Sequence, residues 1–370
     1  MHRLLRTMHL WIGLVVGALF CISGLSGSVL VFAGELDAYF NSELWHVEPH
    51  TGPIRLNAAT AKVRSVLPER TLLYARLPRE PNHSIEYWMS GEERQRVYID
   101  PWSLDILGVR AEHAGLLGFL QELHVQLLAG AQGLFANGIL GLILLFMVLI
   151  GLCIAWPGWR RLPKTLRIPR RGPRVARWLA LHRSTGLILW LLLFISALTG
   201  AGMVFHEQTN AALIALFGGP GLPEPPRLAR TAPRPVQRSP AELLTIAQSV
   251  MPQASATWIQ FPTRPSAPFT VRLRHPDNPH PNGTSYVALD AATGEVLMSY
   301  NSNHGGAGQQ IADLKYPLHI GTALGLPGRV AILVTGLVPT LLFVTGVYTW
   351  WRKRQQRSAR LSNSPAPSHY

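Results

Sequence analysis

Four histidines each precede a long apolar segment, and they form two matched pairs. His9 aligns with His182, and His124 aligns with His319, both without gaps. The matches around them include Gly13 with Gly186, Ser23 with Ser196, Gly27 with Gly200, Gly141 with Gly336, Gly151 with Gly346, and Trp156 with Trp351. Such self-similarity indicates a duplicated structural unit. A unit that places one histidine at each end of a membrane bundle, twice, predicts two bis-histidine metal centres.

The elements that must carry these histidines are apolar helices. The chain has 370 residues, 48% of them hydrophobic and 15% charged. A membrane-spanning helix needs about 20 apolar residues. Uncharged runs that satisfy this length lie at 10–33, 134–156, 184–205 and 330–351, so we predict four spans.

The distribution of charge orients these spans. The net charge is +14, with eight Arg and Lys and no acid between Pro157 and Trp178, and a second basic cluster after Trp351. Basic clusters mark the cytoplasmic side of membrane proteins. We therefore expect cytoplasmic termini, and the basic excess requires no nucleic-acid partner.

The first span is expected to be retained. Residues 31–33 resemble a signal-peptide cleavage site, but the apolar stretch before them exceeds the usual 7–15 residues of a signal peptide. His9 is also the repeat partner of His182, which is internal. Cys21 and Cys153 both fall inside spans, which argues against disulfides in the outer segments and against cysteine metal ligands.

The two segments between the spans share one pattern. A helix at 56–68 precedes strand-like stretches at 72–77, 84–89 and 96–110, and a helix at 240–252 precedes strand-like stretches at 256–261, 269–275 and 285–300. Asp100-Pro101 and residues 290–294 supply a hairpin turn within the last stretch of each segment. The alternation of apolar and polar residues predicts these strands. Residues 218–238 read as a proline-rich linker. Neither segment carries a nucleophile elbow, paired carboxylates or zinc-ligand spacing, so both look like small α+β binding modules.

The expected fold is an internally duplicated membrane protein with four transmembrane helices and two periplasmic α+β domains. The predicted division is helix 1 at 1–33, outer domain 1 at 34–125, helix 2 at 126–156, a basic loop at 157–178, helix 3 at 179–206, outer domain 2 with its linker at 207–318, helix 4 at 319–351, and a basic tail at 352–370.

The outer segments, ending in YVALDAATGEVL, resemble PepSY domains. With four spans they resemble the PepSY-associated transmembrane family of iron-regulated bacterial inner-membrane proteins, and within it ferrisiderophore reductases of the ferrioxamine-reductase (FoxB) type. LHR-x-x-GL at His182 and PLH-x-G-x5-PGR at His319 are the most specific motifs. The resemblance implies a multi-pass protein of the bacterial inner membrane, two b-type haems, and electron transfer to periplasmic iron complexes.

The residues themselves favour haem over other metals. Two imidazoles complete an octahedral iron that four porphyrin nitrogens already hold, whereas zinc or non-haem iron needs further protein ligands. The spans contain no third histidine or carboxylate, and the chain has no Cys-x-x-Cys-His. We predict two haem b groups, one on His9 and His182 and one on His124 and His319.

Several neighbours of the histidines have predicted roles. Arg183 and Arg329 are placed to pair with haem propionates, or equally to anchor the helices at the interface. Small residues at Gly13, Gly17 and Gly186 would let a flat macrocycle approach the backbone.

Pro327-Gly328 is expected to interrupt a helix, giving a short histidine-bearing helix, a turn, and then the span. His206 is interpreted as a solvated helix end, or as part of a substrate exit or proton path; His113 and His304 lie near the outer ligands without an assigned role.

The predicted function is that of an oxidoreductase. Two haems would pass electrons across the membrane to a ferric siderophore docked near Gln121–His124 and Lys315–His319, releasing Fe(II). The chain has no glycine-rich nucleotide motif, so the electron donor is a separate cytoplasmic reductase or membrane quinol. Two alternatives stay open: a haem-containing membrane subunit of another oxidoreductase, and a non-enzymatic PepSY protein that binds a periplasmic partner.

Overall fold

The computed structural model describes residues 2–50, 52–220 and 238–362. Most of the predicted linker at 218–238 lies outside these residues. The described part forms thirteen α-helices: α1 (His2–Leu30), α2 (Ala33–Phe40), α3 (Ser42–Trp45), α4 (Leu56–Val66), α5 (Gly115–Gln126), α6 (Gly130–Ala155), α7 (Leu162–Thr165), α8 (Arg174–Val204), α9 (His206–Phe217), α10 (Pro240–Val250), α11 (Ala307–Asp313), α12 (Lys315–Ile320) and α13 (Gly325–Ser362).

Four of these helices are long and apolar enough to cross a membrane, and each covers one of the four predicted runs except for at most three residues at its end. They are α1, α6, α8 and α13. In the bundle, α1 and α8 each contact both α6 and α13, so α1 and α8 stand at opposite corners. The chain is a multi-pass membrane protein, as the sequence predicted.

A tight turn separates each of the two short histidine-bearing helices from the span that follows. After α5, Leu127 and Leu128 adopt left-handed backbone (φ 48° and 59°) before α6 begins. After α12, Gly321 (φ 83°) leads into a 3-10 turn and then α13. The order of helix, turn and span is the predicted one, but the position of the break is not. Pro327 lies in the first turn of α13, where a missing N–H breaks no helical hydrogen bond.

Eight strands form a single antiparallel sheet in the order β4-β3-β2-β1-β5-β6-β7-β8. They are β1 (Leu72–Arg76), β2 (Ile85–Met89), β3 (Gln95–Ile99), β4 (Ile106–Ala111), β5 (Ser255–Gln260), β6 (Phe269–Arg274), β7 (Ser285–Leu289) and β8 (Val296–Tyr300). Each of the two segments that carry strands, one after α1 and one after α8, supplies four, and the pairing of Ala75 with Ile259 joins β1 to β5 at the centre. The sequence predicted two separate modules; the structure joins their strands in one sheet.

Helices α4 and α10 cover one face of this sheet. Leu56, Ala59 and Val63 of α4 and Leu243 and Ala247 of α10 are buried in one apolar core with the strands. Burial of apolar surface is the main favourable term in folding. Packing of α4 and α10 on this face therefore stabilises the sheet that carries the groups on the opposite face.

The opposite face is charged and aromatic, and it is tied to the first span. Arg110 of β4 forms a bidentate ion pair with Asp37 of α2, which follows α1 closely in sequence. Burial raises the pKa of the Asp37 carboxyl, but hydrogen bonds and charge from Arg110 outweigh burial and leave the pKa below its usual value. The ion pair thus links the sheet to the membrane bundle.

Candidate metal centres

His9 of α1 and His182 of α8 meet across the bundle. Their ring centres lie 6.2 Å apart with planes at 86°. Both side chains are partly buried. We call them the basic-side pair, because the basic segment 157–178 and the end of α13 lie at the same end of the bundle.

His124 of α5 and His319 of α12 form the second pair. Their ring centres are also 6.2 Å apart, with planes at 44°. We call them the sheet-side pair, because α5 and α12 connect the sheet to the spans. The structure thus brings together both predicted pairs of ligands.

The ring separation matches the requirement for a shared metal ion. A metal bonded to both imidazoles at about 2.0–2.1 Å would hold the two ring centres about 6.3 Å apart. The angles between the ring planes, 86° and 44°, add no further constraint, because an imidazole can rotate about its bond to a metal. The residues present fit a bis-imidazole metal at each pair.

The two pairs are too far apart to share one centre. His124 contacts Ser23, and His319 contacts Ser196. Each contact lies fourteen positions along the spanning helix from His9 or His182 (9 to 23, 182 to 196). At about 1.5 Å per residue, the two levels are about 21 Å apart. A hydrocarbon core of about 30 Å is thick enough to contain both levels.

Backbone carbonyls on neighbouring helices fix the orientation of three of the rings. The Nδ1 atoms of His124, His319 and His182 lie 2.9, 3.1 and 2.9 Å from the carbonyl oxygens of Ser23, Ser196 and Leu342. A hydroxyl also approaches each Nδ1, from Ser26, Thr199 and Thr345 respectively. An Nδ1–H that donates to a carbonyl leaves Nε2 as the ligating nitrogen and orients the ring, as around protein-bound metals.

His9 departs from this pattern. Its Nδ1 is buried without a hydrogen-bond partner, although the Met147 carbonyl, the repeat counterpart of Leu342, faces it. His9 is therefore the least firmly oriented of the four rings.

A glycine faces each histidine from a neighbouring helix. A Cβ atom built on the glycine would lie 2.7 Å from His124 at Gly27, 3.0 Å from His319 at Gly200, 3.2 Å from His9 at Gly151 and 3.6 Å from His182 at Gly346. Gly27 matches Gly200 in the repeat, and Gly151 matches Gly346. The duplicated glycines thus make room for the duplicated imidazoles.

Both histidine pairs lie within a region that matches a known protein family. A sequence profile of the family described as the PepSY-associated TM region matches residues 6–353. The protein belongs to this family. No curated protein matches the chain. Since the matched region contains all four histidines and the whole sheet, both candidate centres lie within the part that defines this PepSY-associated protein as a family member.

Of the three glycines that follow the basic-side pair, Gly17 has a different neighbour from the one expected. A Cβ at Gly17 would lie 2.3 Å from the ring of Phe343, and one at Gly13 would lie 3.5 Å from Met147. Gly17 thus admits an aromatic side chain of α13, which corrects the expectation that it faces a macrocycle. Only at Gly186, of these three, is the space beyond the glycine open.

The two arginines proposed as propionate partners are already partly engaged by protein groups. Arg329 forms a bidentate ion pair with Glu35 and donates to the Val31 carbonyl, and this pairing lowers the pKa of the Glu35 carboxyl. Arg183 donates to the Thr165 carbonyl. In both, Nε is buried without a partner, so each retains a donor for an additional anionic group.

A polar pocket opens beside the sheet-side pair, in the second half of the protein. Its cavity of about 310 Å³ is lined by Met203, His206, Asn210, His280, Thr284, Ala312, Asp313, Lys315 and Tyr316. Burial, together with nearby arginines, lowers the pKa of His280 to about 4. His206 therefore lies in a pocket wall, whereas His304 lies exposed in the turn after β8.

Sequence reasoning missed the groups that orient the histidines. Ser23 and Ser196 were matched as a repeat, and the hydroxyls at Ser26 and Thr199 occupy matching positions three residues later. Polar residues at equal depth in two apolar helices were the available signal, since buried polar groups need partners. The pocket offered no such signal, because its lining comes from segments far apart in the sequence.

Proposed function

We propose that this PepSY-associated protein is a membrane reductase with two haem b groups. The inner haem would be held by His9 and His182 and the outer haem by His124 and His319. The observation that carries the proposal is the pair of 6.2 Å ring separations, because two independent pairs have the same metal-compatible spacing.

The supply of ligands favours haem over a bare metal ion. In the described part of the chain, no group of three or more His, Cys, Asp or Glu could hold a metal. Two imidazoles leave a zinc or non-haem iron site incomplete, whereas a porphyrin provides the four remaining nitrogens. Arg183 and Arg329 would supply their free Nε donors to the propionates.

The protein's own contribution would be to hold and insulate the two groups. A bound haem would supply one-electron chemistry, and the two histidine pairs lie about 21 Å apart along the spans. The four glycines make room for the imidazoles, and the Nδ1 contacts orient three of them, those of His124, His182 and His319. Because each haem would be held by two histidines, substrate iron would receive its electron without coordinating to the haem.

The substrate we propose is a ferric siderophore in the periplasm. A bulky hydrophilic chelate cannot enter the hydrocarbon, so it would meet the protein where the sheet-side pair approaches the sheet. Reduction to Fe(II) weakens binding to hard oxygen ligands and releases the metal. The proposal rests on the resemblance to ferrisiderophore reductases and on the position of the sheet-side pair.

The same proposal includes an inner-membrane location with both termini in the cytoplasm. Eight basic residues and no acid between Pro157 and Trp178 support this orientation. Electrons would enter at the basic-side pair from a separate cytoplasmic reductase or from membrane quinol, since the chain carries no nucleotide-binding motif.

Anaerobic reoxidation tests the proposed activity. The purified protein is reduced with dithionite, freed of excess reductant and mixed with a ferric siderophore in the presence of ferrozine. The expected result is loss of the reduced-haem bands together with formation of the ferrozine complex. Haem that stays reduced in excess ferric siderophore would favour a haem-containing subunit of another oxidoreductase. A folded protein without haem would favour the non-enzymatic alternative.

A further inference from the structure

The polar pocket marks a difference between two otherwise matched halves. In the gap-free alignment of the two halves, Asn210 occupies the position of Asp37. The strand registers show that Tyr300 of β8 occupies the position that Arg110 has in β4. In the first half, Asp37 and Arg110 close on each other as an ion pair. In the second half, Tyr300 instead donates to Asp313 at 3.2 Å, and Asn210 accepts from Lys315.

The pocket lies one helical turn beyond the sheet-side pair. Lys315 is four residues before His319 on α12, and Met203 is four residues beyond Thr199, which contacts His319. Four residues of helix advance about 6 Å. A group bound in this pocket would therefore be close to the outer centre without entering it.

Asp313 is the acid in this pocket. Burial raises the pKa of its carboxyl above the usual value, against the opposing effects of its hydrogen bonds and of the cations Lys315 and Arg272. The groups that face it from neighbouring elements are Thr284 before β7, Tyr286 of β7, Tyr300 of β8, Arg272 of β6 and Lys315 of α12, with His206 and His280 at the same cavity.

We propose that Asp313 is the proton donor that couples reduction of a ferric chelate to release of Fe(II). The inference rests on the proposed function above. One electron from the outer haem converts chelate Fe(III) to Fe(II), an Fe–O bond to the chelate breaks, and the Asp313 proton moves to the freed oxygen. Solvent at the open mouth of the pocket then returns a proton to the Asp313 carboxylate.

The pocket has the chemistry that an oxygen-donor chelate requires. Lys315 carries a positive charge beside Asp313, and Thr284 and Tyr316 line the same wall. The imidazole of His280 lies against Tyr316 with ring centres 5.0 Å apart. Burial and nearby arginines lower the pKa of His280, whereas burial raises that of Asp313, so of these two groups Asp313 is the one whose surroundings favour the protonated form.

The test compares D313N with a charge-matched control. D277N removes an exposed carboxylate from the loop that also carries His280, and Asp277 is not part of the pocket lining. Reduced wild-type and variant proteins are mixed with ferric acetohydroxamate between pH 5 and pH 9. Two rates are followed, the reoxidation of haem and the appearance of the Fe(II)–ferrozine complex.

For wild type and D277N we expect Fe(II) release to slow as the pH rises through the raised pKa of Asp313. A positioned general acid contributes roughly 10²–10⁴-fold, so D313N should release Fe(II) at least roughly 100-fold more slowly near pH 6 and lose the pH dependence. D313E should restore part of both.

Three outcomes overturn the inference, and they are distinguishable. An unchanged pH profile of release in D313N, or in wild type a release rate that does not change with pH, overturns the role of Asp313 alone. Failure of ferric acetohydroxamate and of ferric siderophores to reoxidise the wild-type haem overturns the proposed function as well. The haem spectrum of D313N checks that the sheet-side centre is intact.

Discussion

Replacing Gly27 with alanine tests the sheet-side centre through a single methyl group. The new Cβ would lie 2.7 Å from Cε1 of His124, whereas ordinary contact begins at about 3.4 Å, so the ring must retreat by roughly 0.7 Å. Functional groups at such sites must be held within about 0.5 Å. We expect affinity for the outer haem to fall roughly 10–100-fold, the usual cost of disturbing the groups that orient a metal ligand.

The four histidine-facing glycines provide a graded series with its own control. G346A places the Cβ 3.6 Å from His182, an ordinary contact, and should leave the inner haem in place. G200A and G151A, at 3.0 and 3.2 Å, should lie between. Alanine in a helix interior is favoured over glycine by about 1 kcal/mol, so haem loss would not reflect a weaker helix.

Haem content measures the series directly. Each variant is purified, its haem-to-protein ratio is determined by the pyridine haemochrome method, and haem is titrated back into depleted protein. Native affinity in G27A, or equal losses in G27A and G346A, would refute the reasoning that these glycines make room for ligating imidazoles.

Four further predictions follow from the same geometry. His182→Ala should remove one haem and leave the sheet-side centre spectrally intact, and loss of both from a folded protein would argue against separate pairs. D37N should lower stability by roughly 1–3 kcal/mol at pH 7. Because the Asp37 pKa is depressed in the folded state, its contribution is present above the unfolded pKa and lost as the pH falls through the folded one, so the difference in thermal midpoint should shrink below about pH 4. A reporter active only in the periplasm should be silent when fused within residues 160–176; activity there contradicts the topology. Carbon monoxide should bind the reduced protein poorly, and rapid stoichiometric binding would reveal an open axial position.

Local sequence patterns predicted much of the fold. Uncharged runs predicted the four spans, and the alternation in segments such as 269–275 predicted the strands, because both signals depend on neighbouring residues. The duplication also predicted which histidines would meet, since residues at equal depth in repeated helices face the same interior.

Long-range pairing could not be predicted in the same way. The union of β1 with β5 depends on contacts between segments far apart in sequence, and either half alone reads as a complete module. The pairing of Arg329 with Glu35 depends on how α13 meets the start of α2. The polar pocket depends on small differences between the two halves, such as Asn210 in place of Asp37. The effect of this difference cannot be read from the sequence, because it depends on the side chains that each residue contacts, Lys315 for Asn210 and Arg110 for Asp37.

Haem stoichiometry combined with the visible spectrum tests the central claim most directly. The full-length protein, purified from cells supplied with haem, is assayed for protein, iron and pyridine haemochrome, and its oxidised and dithionite-reduced spectra are recorded. We expect two haem b per chain, both low-spin, with sharp α-bands on reduction. A colourless, well-folded protein, or a single haem that survives substitution of either histidine pair, would contradict it.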